Sequence, residues 1–271
     1  MKNKSLPHIF VVGNEKGGAG KTTCSMHLIV GLLEKGYKVA AIDADCRQGS
    51  LTRYLENRKK YNTKNPEKSV LIPDYYLLAE SKAENKSQKQ EEERDYFEKL
   101  IEKMKSSADM IVIDTPGTHS FLSNVAHSHA DTVITPINDS FIDIDVMAKI
   151  EIDDNKIKVL GPSIYSQTVW EQKIERAKRD QGSIDWVVMR NRLSSTDAIN
   201  KRNVGKVLDE LSKRVSFRQV PGFGERVIFR ELFLQGLTLL DLTKSNYDKA
   251  FSLSHVAARQ ELRDFLSSLN L

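Results

Sequence analysis

The sequence predicts a doubly wound α/β fold, in which a mostly parallel sheet carries helices on both faces. Short apolar runs of strand length alternate with longer helical patterns along the chain, and several of these runs end in glycine-rich or acidic turns. The 271 residues can bury one substantial core, and a content of 39% hydrophobic and 29% charged residues is typical of a globular protein. We therefore expect a single domain over residues 1–271.

The first strand and helix enclose a glycine-rich loop. The apolar run Ile9–Val12 precedes this loop, and a helical pattern over Cys24–Lys35 follows it. Glycines allow backbone N–H groups to turn around an anion, Lys21 supplies a positive charge, and the Thr22 hydroxyl can bind Mg²⁺. The pattern predicts a nucleotide site contacted by Gly17, Gly18, Ala19, Gly20, Lys21, Thr22 and Thr23.

The loop departs from the strict pattern G-x-x-x-x-G-K-[ST] in one place. Glu15 stands where that pattern has glycine, and a second lysine, Lys16, follows it. A lysine in a loop is commonly solvated, but a lysine inside a phosphate-binding loop can also reach a phosphate. The residues alone leave both interpretations open.

The second strand, Lys38–Asp45, ends in two carboxylates, Asp43 and Asp45. Ligands of open α/β sheets bind at the carboxyl ends of the strands, so both acids are expected to lie beside the glycine-rich loop. One can face the metal shell and the other a water molecule, although either can also be a turn or helix-cap acid.

A further buried strand ends at Asp114 and is followed by Thr-Pro-Gly. An acid in this position is typical of a Walker B aspartate, which holds Mg²⁺ through water, and the Gly117 N–H can contact the γ-phosphate.

The remaining elements are predicted from periodicity and turn residues. The charged segment 58–94 is low in core-forming residues and is interpreted as a solvated surface excursion. Further elements are expected at Glu91–Met104 (helix), Asp131–Ile137 (strand), Tyr165–Lys178 (helix), Ile184–Arg192 (strand), Phe217–Val220 (strand) and His255–Leu269 (helix).

Basic residues are concentrated near the end of the chain. Residues 186–230 contain ten basic and four acidic residues, whereas the whole chain has a net charge of only +4. Such a segment is either an ordinary charged helix face or a contact surface for the DNA backbone without base readout. The candidate DNA contacts are Arg190, Arg192, Lys201, Arg202, Lys206, Arg214, Arg218, Arg226 and Arg230.

The sequence favours a cytoplasmic protein with no membrane contact. The basic start leads into a strand, and no apolar run reaches the roughly 18 residues that span a bilayer. The two cysteines, Cys24 and Cys46, lack metal-ligand spacing and are expected to be packing residues. In the last helix, Arg259 and Arg263 are balanced by Glu261 and Asp264, so this helix is expected to pack on the sheet and not on anionic lipid.

The segment Lys16–Thr22 resembles the deviant Walker A box of the ParA/MinD superfamily, dimerising ATPases within the SIMIBI branch of P-loop NTPases. Asp43–Gln48 resembles the first switch of that superfamily. Segments specific to the MipZ-like family within it also have counterparts here: Tyr54–Arg58, Pro136–Phe141, Ser163–Ser166, Thr168–Glu171, Asn191–Leu193 and Ala257–Glu261.

The resemblance implies roles for individual residues. Lys16 would cross to the ATP held by the other subunit, Asp45 would position the attacking water, and Asp43 would hold magnesium-bound waters. Asn191 would read the adenine base, and the strand that ends near Pro221 would complete the base pocket.

The resemblance also implies a slow, switch-like ATPase that forms a homodimer with ATP and Mg²⁺ and regulates the position of cell division. Its implied partners are ParB, FtsZ and nonspecific DNA, and its implied location is the nucleoid, with a polar gradient. Two alternatives remain: a ParA-type DNA-segregation ATPase, and a small-molecule enzyme such as a dethiobiotin-synthetase-like ligase, against which the basic stretch argues.

Overall fold

The computed structural model describes residues 6–153, 156–193, 199–242 and 253–271. The strands are β1 (His8–Val12), β2 (Val39–Asp43), β3 (Asp74–Leu77), β4 (Met110–Asp114), β5 (Thr132–Asn138), β6 (Ala148–Asp153), β7 (Lys156–Pro162), β8 (Asp185–Leu193) and β9 (Arg218–Gly224). The helices are α1 (Lys21–Glu34), α2 (Ser50–Lys64), α3 (Lys86–Lys105), α4 (Phe121–His129), α5 (Phe141–Ile144), α6 (Ile164–Asp180), α7 (Ile199–Val215), α8 (Ile228–Gln235) and α9 (Leu253–Ser268).

Seven of the strands form one parallel sheet in the order β3-β2-β4-β1-β5-β8-β9. The chain thus winds in both directions from the central strand β1, which confirms the predicted doubly wound α/β fold. Strands β6 and β7 form a separate antiparallel pair.

Two apolar cores lie on opposite faces of the sheet, as the alternation of side chains along a strand requires. Ile9 and Val11 of β1 belong to the core that includes α3, α4, α6 and α7. Phe10 and Val12 belong to the core that includes α1, α2, α8 and α9. Strands of this sheet are covered on both faces. Their sequences are therefore nearly continuous apolar runs and do not alternate between apolar and polar residues.

The charged segment 58–94 is more than the solvated excursion that its composition suggests. It contains the end of α2, the edge strand β3 and the beginning of α3. Arg58 has no exposed surface, because its guanidinium forms a bidentate ion pair with Asp241 and donates to the carbonyl oxygens of Leu71 and Gly236. Composition missed this role, since the partner carboxylate is far away in the sequence.

The last helix packs on the sheet, as predicted. Ala258, Leu262, Phe265, Leu266 and Leu269 are buried in the core beside α1. Glu261 binds the backbone N–H of Gly224 and the guanidinium of Arg226, which attaches α9 to the end of β9. Within the described ranges, no helix combines the length and the apolar character needed to cross a membrane.

Candidate nucleotide-binding site

The site is built at the carboxyl edge of the central strands. The register pairs Val12 of β1 with Asp114 of β4, and Asp114 with Asp43 of β2. On the other side of β1, Asn138 of β5 pairs with Asn191 of β8. The glycine-rich loop that leaves β1 therefore lies between two carboxylates on one side and two amides on the other.

The loop turns directly into α1. Gly20 has a φ of 91°, and its carbonyl oxygen accepts from Cys24 N at 2.9 Å, so it serves as the N-cap of this helix. Asn14, which is buried, accepts from Lys16 N at 2.7 Å and donates to the Pro136 carbonyl oxygen, which ties the loop to β5. The loop thus presents the positive end of α1 on a rigid support, as an anion-binding site requires.

Lys21 is buried beneath the loop. Its Nζ donates to the Lys16 carbonyl oxygen at 3.1 Å. Burial lowers the pKa of Lys21, whereas the charges of Asp114 and Asp45 raise it. A partly desolvated ammonium of this kind interacts strongly with an incoming phosphate, because little water screens the two charges.

Asp114 is held by two hydroxyls of α1. Thr22 Oγ1 donates to its Oδ2 at 2.7 Å, and Ser25 Oγ donates to its Oδ1 at 2.9 Å. Burial raises the pKa of Asp114 to about 7, and Asp43 adds to this effect, while the two hydroxyls and Lys21 act against it. A cation bound beside this carboxylate would compensate its charge and favour its ionised form.

Asp43 and Asp45 shape the turn between β2 and α2. Asp43 accepts from the backbone N–H groups of Thr52 and Asp45, and Asp45 accepts from the N–H of Gln48. Burial is the main cause that raises the pKa of Asp43. Both acids therefore have the local turn role that the sequence left open, and both still lie at the edge of the nucleotide loop.

A cleft of about 720 Å³ is lined by residues 44–48 after β2, by residues 116–122 after β4 and by the beginning of α3. Gly17, Asp45, Gly117, Glu80 and Lys89 are among its lining residues. A Cβ atom on Gly117 would lie 3.2 Å from both Gly17 Cα and Lys21 Nζ, so the switch backbone packs directly against the loop. A contact of the Gly117 N–H with the outer phosphate stays a prediction.

A second cleft, of about 360 Å³, opens on the other side of Gly20 and Thr23. Asn191 lines it, and its Nδ2 donates to the Ala19 carbonyl oxygen at 2.8 Å. Pro221, expected to complete this pocket, is instead an exposed residue within β9 and is not part of the lining. The other residues that line this cleft come from the end of β9, the loop after it and α8: Gly224, Glu225, Arg226, Phe229, Arg230, Phe233 and Leu234.

The side chain of Lys16 contacts a different group from that of Lys21. Its Nζ lies 2.7 Å from Asp143 Oδ1 of α5, and Asp143 is buried whereas Lys16 is about one-third exposed, at 35%. Lys16 is therefore not simply a solvated loop lysine.

Several of the predicted DNA contacts have structural partners. Arg190 is paired with Asp139, Arg218 with Asp185, and Arg226 with Glu261. The charge count over residues 186–230 overestimated the available positive charge, because all three acids lie outside that segment. Arg214 pairs on the surface with Glu210, and the side chain of Lys201 lies outside the described residues. The predicted contacts at Arg192, Arg202, Lys206 and Arg230 fall on exposed residues.

Sequence reasoning missed a buried polar cluster behind the loop. The Tyr165 hydroxyl donates to the Gly13 carbonyl oxygen at 2.8 Å and also contacts Thr135 and His127. Burial lowers the pKa of His127 to about 4, so its ring is neutral at pH 7. In the sequence, the only signal for this contact is a tyrosine at the start of an amphipathic helix.

The donor set fits a nucleotide-bound Mg²⁺. Hydroxyl and carboxylate oxygens from Thr22, Asp43 and Asp114 are the ligands that this hard cation prefers. Among the described residues, no group of three or more His, Cys, Asp or Glu side chains is arranged to hold a metal by itself.

The fold and the site define a P-loop nucleotide-binding protein of the ParA/MinD type. More particularly, the chain belongs to the MipZ family, because the family model described as ATPase MipZ matches residues 8–271.

Curated relatives share part of the chain. The septum site-determining protein MinD of Helicobacter pylori is 30% identical over 164 residues, which are 55% of this chain and 61% of that protein. Protein virC1 of Rhizobium radiobacter is 33% identical over 130 residues, 48% of each chain. The chain thus spans about half to three fifths of the length of these relatives.

Solved structures share the fold over nearly the whole chain. An ATP complex of McdA from Cyanothece has a TM-score of 0.62 at 18% identity and covers 96% of this chain and 97% of its own. MinD of Pyrococcus horikoshii, complexed with Mg-ADP, has a TM-score of 0.56 at 17% identity and covers 98% of this chain and 99% of its own.

Proposed function

We propose that this protein is an ATP-dependent dimerising switch that hydrolyses ATP slowly and regulates where the cell divides. The observation that carries the proposal is the loop with two lysines: the charges of Asp114 and Asp45 act on the Lys21 ammonium, whereas the Lys16 ammonium contacts Asp143. One loop thereby offers a cation to its own nucleotide and a second cation to the ligand of another subunit.

Catalysis in this proposal is mainly positioning and electrostatics. Mg²⁺, when bound with ATP, neutralises charge on the phosphates. Thr22, Asp43 and Asp114 hold that cation, Lys21 stabilises the outer phosphates, and Asp45 orients the attacking water. The complexes of McdA with ATP and of MinD with Mg-ADP support ATP and Mg²⁺ as the ligands of this fold.

Sizing in the presence of Mg-ATP and of Mg-ADP tests the switch. We expect a dimer with ATP and a monomer with ADP. Lys16→Ala is expected to bind ATP but remain a monomer, whereas Asp45→Ala is expected to accumulate as an ATP-bound dimer because hydrolysis stops. A Lys16→Ala protein that dimerises like the wild type contradicts the role of Lys16 across the interface.

The proposed partners are FtsZ, ParB and nonspecific DNA, and the proposed location is the nucleoid with a polar gradient in the cytoplasm. FtsZ sedimentation with saturating ATP decides between the two related functions. Reduced FtsZ assembly supports a division regulator of the MipZ type, and unchanged FtsZ assembly favours a ParA-type segregation ATPase.

The proposed DNA surface consists of Arg192, Arg202, Lys206, Arg214 and Arg230. Binding of this kind weakens steeply with salt, because each phosphate contact releases a counterion. Lys206→Glu on the exposed face of α7 is expected to weaken binding to any DNA sequence and to reduce the salt slope by about one. Lys178→Glu, on α6, is the matched control and is expected to change neither.

A further inference from the structure

The position of Lys16 is set by a carboxylate of its own chain. The 2.7 Å contact between Lys16 Nζ and Asp143 Oδ1 joins the nucleotide loop to α5, which follows β5 at the same edge of the sheet. The Asp143 side chain is only 7% exposed, so little water competes for its charge. The contact therefore differs from an ordinary surface ion pair in that one partner is buried.

Asp143 is fixed by its own surroundings. Ser140 Oγ donates to its second carboxylate oxygen, Oδ2, at 2.8 Å, and Asp143 N donates to the Ser140 carbonyl oxygen at 3.1 Å. The main chain of Lys16 is fixed as well, through Asn14 on its N–H and Lys21 on its carbonyl oxygen. Only the four-carbon stem of Lys16 can rotate, so the ammonium can leave this carboxylate without a change in the loop.

We propose that Asp143 competes with the second subunit for Lys16 and thereby sets the threshold of ATP-driven dimerisation. The inference rests on the proposed function, in which the Lys16 ammonium contacts the nucleotide of the other subunit. A lysine ammonium is a compact single charge, and it cannot stay on the buried carboxylate while it reaches across an interface. Dimerisation therefore includes the breaking of the Lys16–Asp143 pair.

The size of the effect follows from the symmetry of the dimer. A pair with one exposed partner contributes modestly, about fivefold in an equilibrium constant. A twofold dimer breaks this pair in both subunits, so the two effects multiply to roughly twentyfold in the dimer dissociation constant. Asp143 is thus a positioning residue: it acts on the interface only through Lys16.

The test is sedimentation equilibrium with Mg²⁺ and a non-hydrolysable ATP analogue. Asp143→Asn keeps an oxygen that accepts from Ser140 and removes the charge, so we expect dimers at roughly twentyfold lower protein concentration. Asp143→Glu restores the charge and is expected to lie close to the wild type. Asp145→Asn, at the exposed end of α5, is the matched control and is expected to change nothing. An Asp143→Asn protein that dimerises no better than the wild type overturns the proposal.

A second measurement separates this proposal from the proposed function. In the absence of nucleotide, acetic anhydride labelling followed by mass spectrometry reports the reactivity of the Lys16 amine. Asp143→Asn is expected to increase labelling of Lys16 about threefold or more, whereas Asp145→Asn is not; equal labelling overturns the ion pair itself. A wild-type protein that stays monomeric with the analogue refutes the dimerising switch and with it the competition, even where the labelling confirms the pair.

Discussion

Replacing Asp114 by asparagine tests how much the buried charge of this carboxylate lowers the free energy of unfolding, and whether nucleotide binding requires that charge. The carboxylate is buried and receives hydrogen bonds from the hydroxyls of Thr22 and Ser25. Its pKa is raised from the ordinary 3.8 to about 7, chiefly by burial. Between about pH 4 and pH 7, the folded protein therefore holds a proton that the unfolded chain has released.

The sign and size of the effect follow from this difference. The contribution of Asp114 to stability falls as the pH rises from about 4 to about 7 and is level above that, because this group binds a proton in the folded state and not in the unfolded state over this range. Each pKa unit corresponds to about 1.4 kcal/mol, so a rise of roughly three units costs up to about 4 kcal/mol at pH 8. Asparagine carries no charge, and Asp114→Asn is expected to recover most of that free energy of unfolding.

Urea unfolding without nucleotide at pH 4.5, 6 and 8 measures this directly. We expect Asp114→Asn to be more stable than the wild type by about 4 kcal/mol at pH 8 and by only about 1 kcal/mol at pH 4.5, while its Mg²⁺-dependent nucleotide binding is lost. Asp95→Asn, an exposed acid of α3, serves as the control and should keep the pH dependence of the wild type. An Asp114→Asn protein that is no more stable than the wild type at pH 8 refutes the reasoning.

Three further substitutions test the ion pair, the close packing and the buried hydroxyl around the site. Arg58→Met leaves the Asp241 carboxylate buried without its counter-charge and is expected to lower the free energy of unfolding by about 3–5 kcal/mol; adding Asp241→Asn should recover part of the urea midpoint. Gly20→Ala places a Cβ 2.0 Å from Asn191 Nδ2 at a positive φ, and fluorescent ATP titration should show a loss of affinity of at least about tenfold. Tyr165→Phe removes the hydroxyl behind the loop and should cost about 1–3 kcal/mol in urea unfolding; unchanged values would contradict each of these assignments.

The central strands and the loop were predictable because their signals are local. Apolar runs that end at Asp43 and Asp114 beside a glycine-rich turn allow few other folds, and the register of β1, β2 and β4 places them as expected. The apolar face of α9 was also predictable, since its periodicity matches the buried residues.

What the sequence could not predict depends on partners that are distant along the chain. The burial of Arg58 requires Asp241, and Arg190 forms an ion pair with Asp139. The contact of Lys16 with Asp143 could not be predicted for the same reason, since the two residues are far apart along the chain. A charge count treats such residues as solvated, because it contains no information about which strands and helices become neighbours.

The edge strand β3 has a consequence for self-association. It is only four residues long and follows Pro73, and its two tyrosine rings lie beneath the ammonium groups of Lys59 and Lys103. Short strands with proline and lysine at their borders resist pairing with the sheet of another molecule. Growth of a continuous intermolecular sheet is therefore blocked at this edge, and any association between subunits has to use another surface of the molecule.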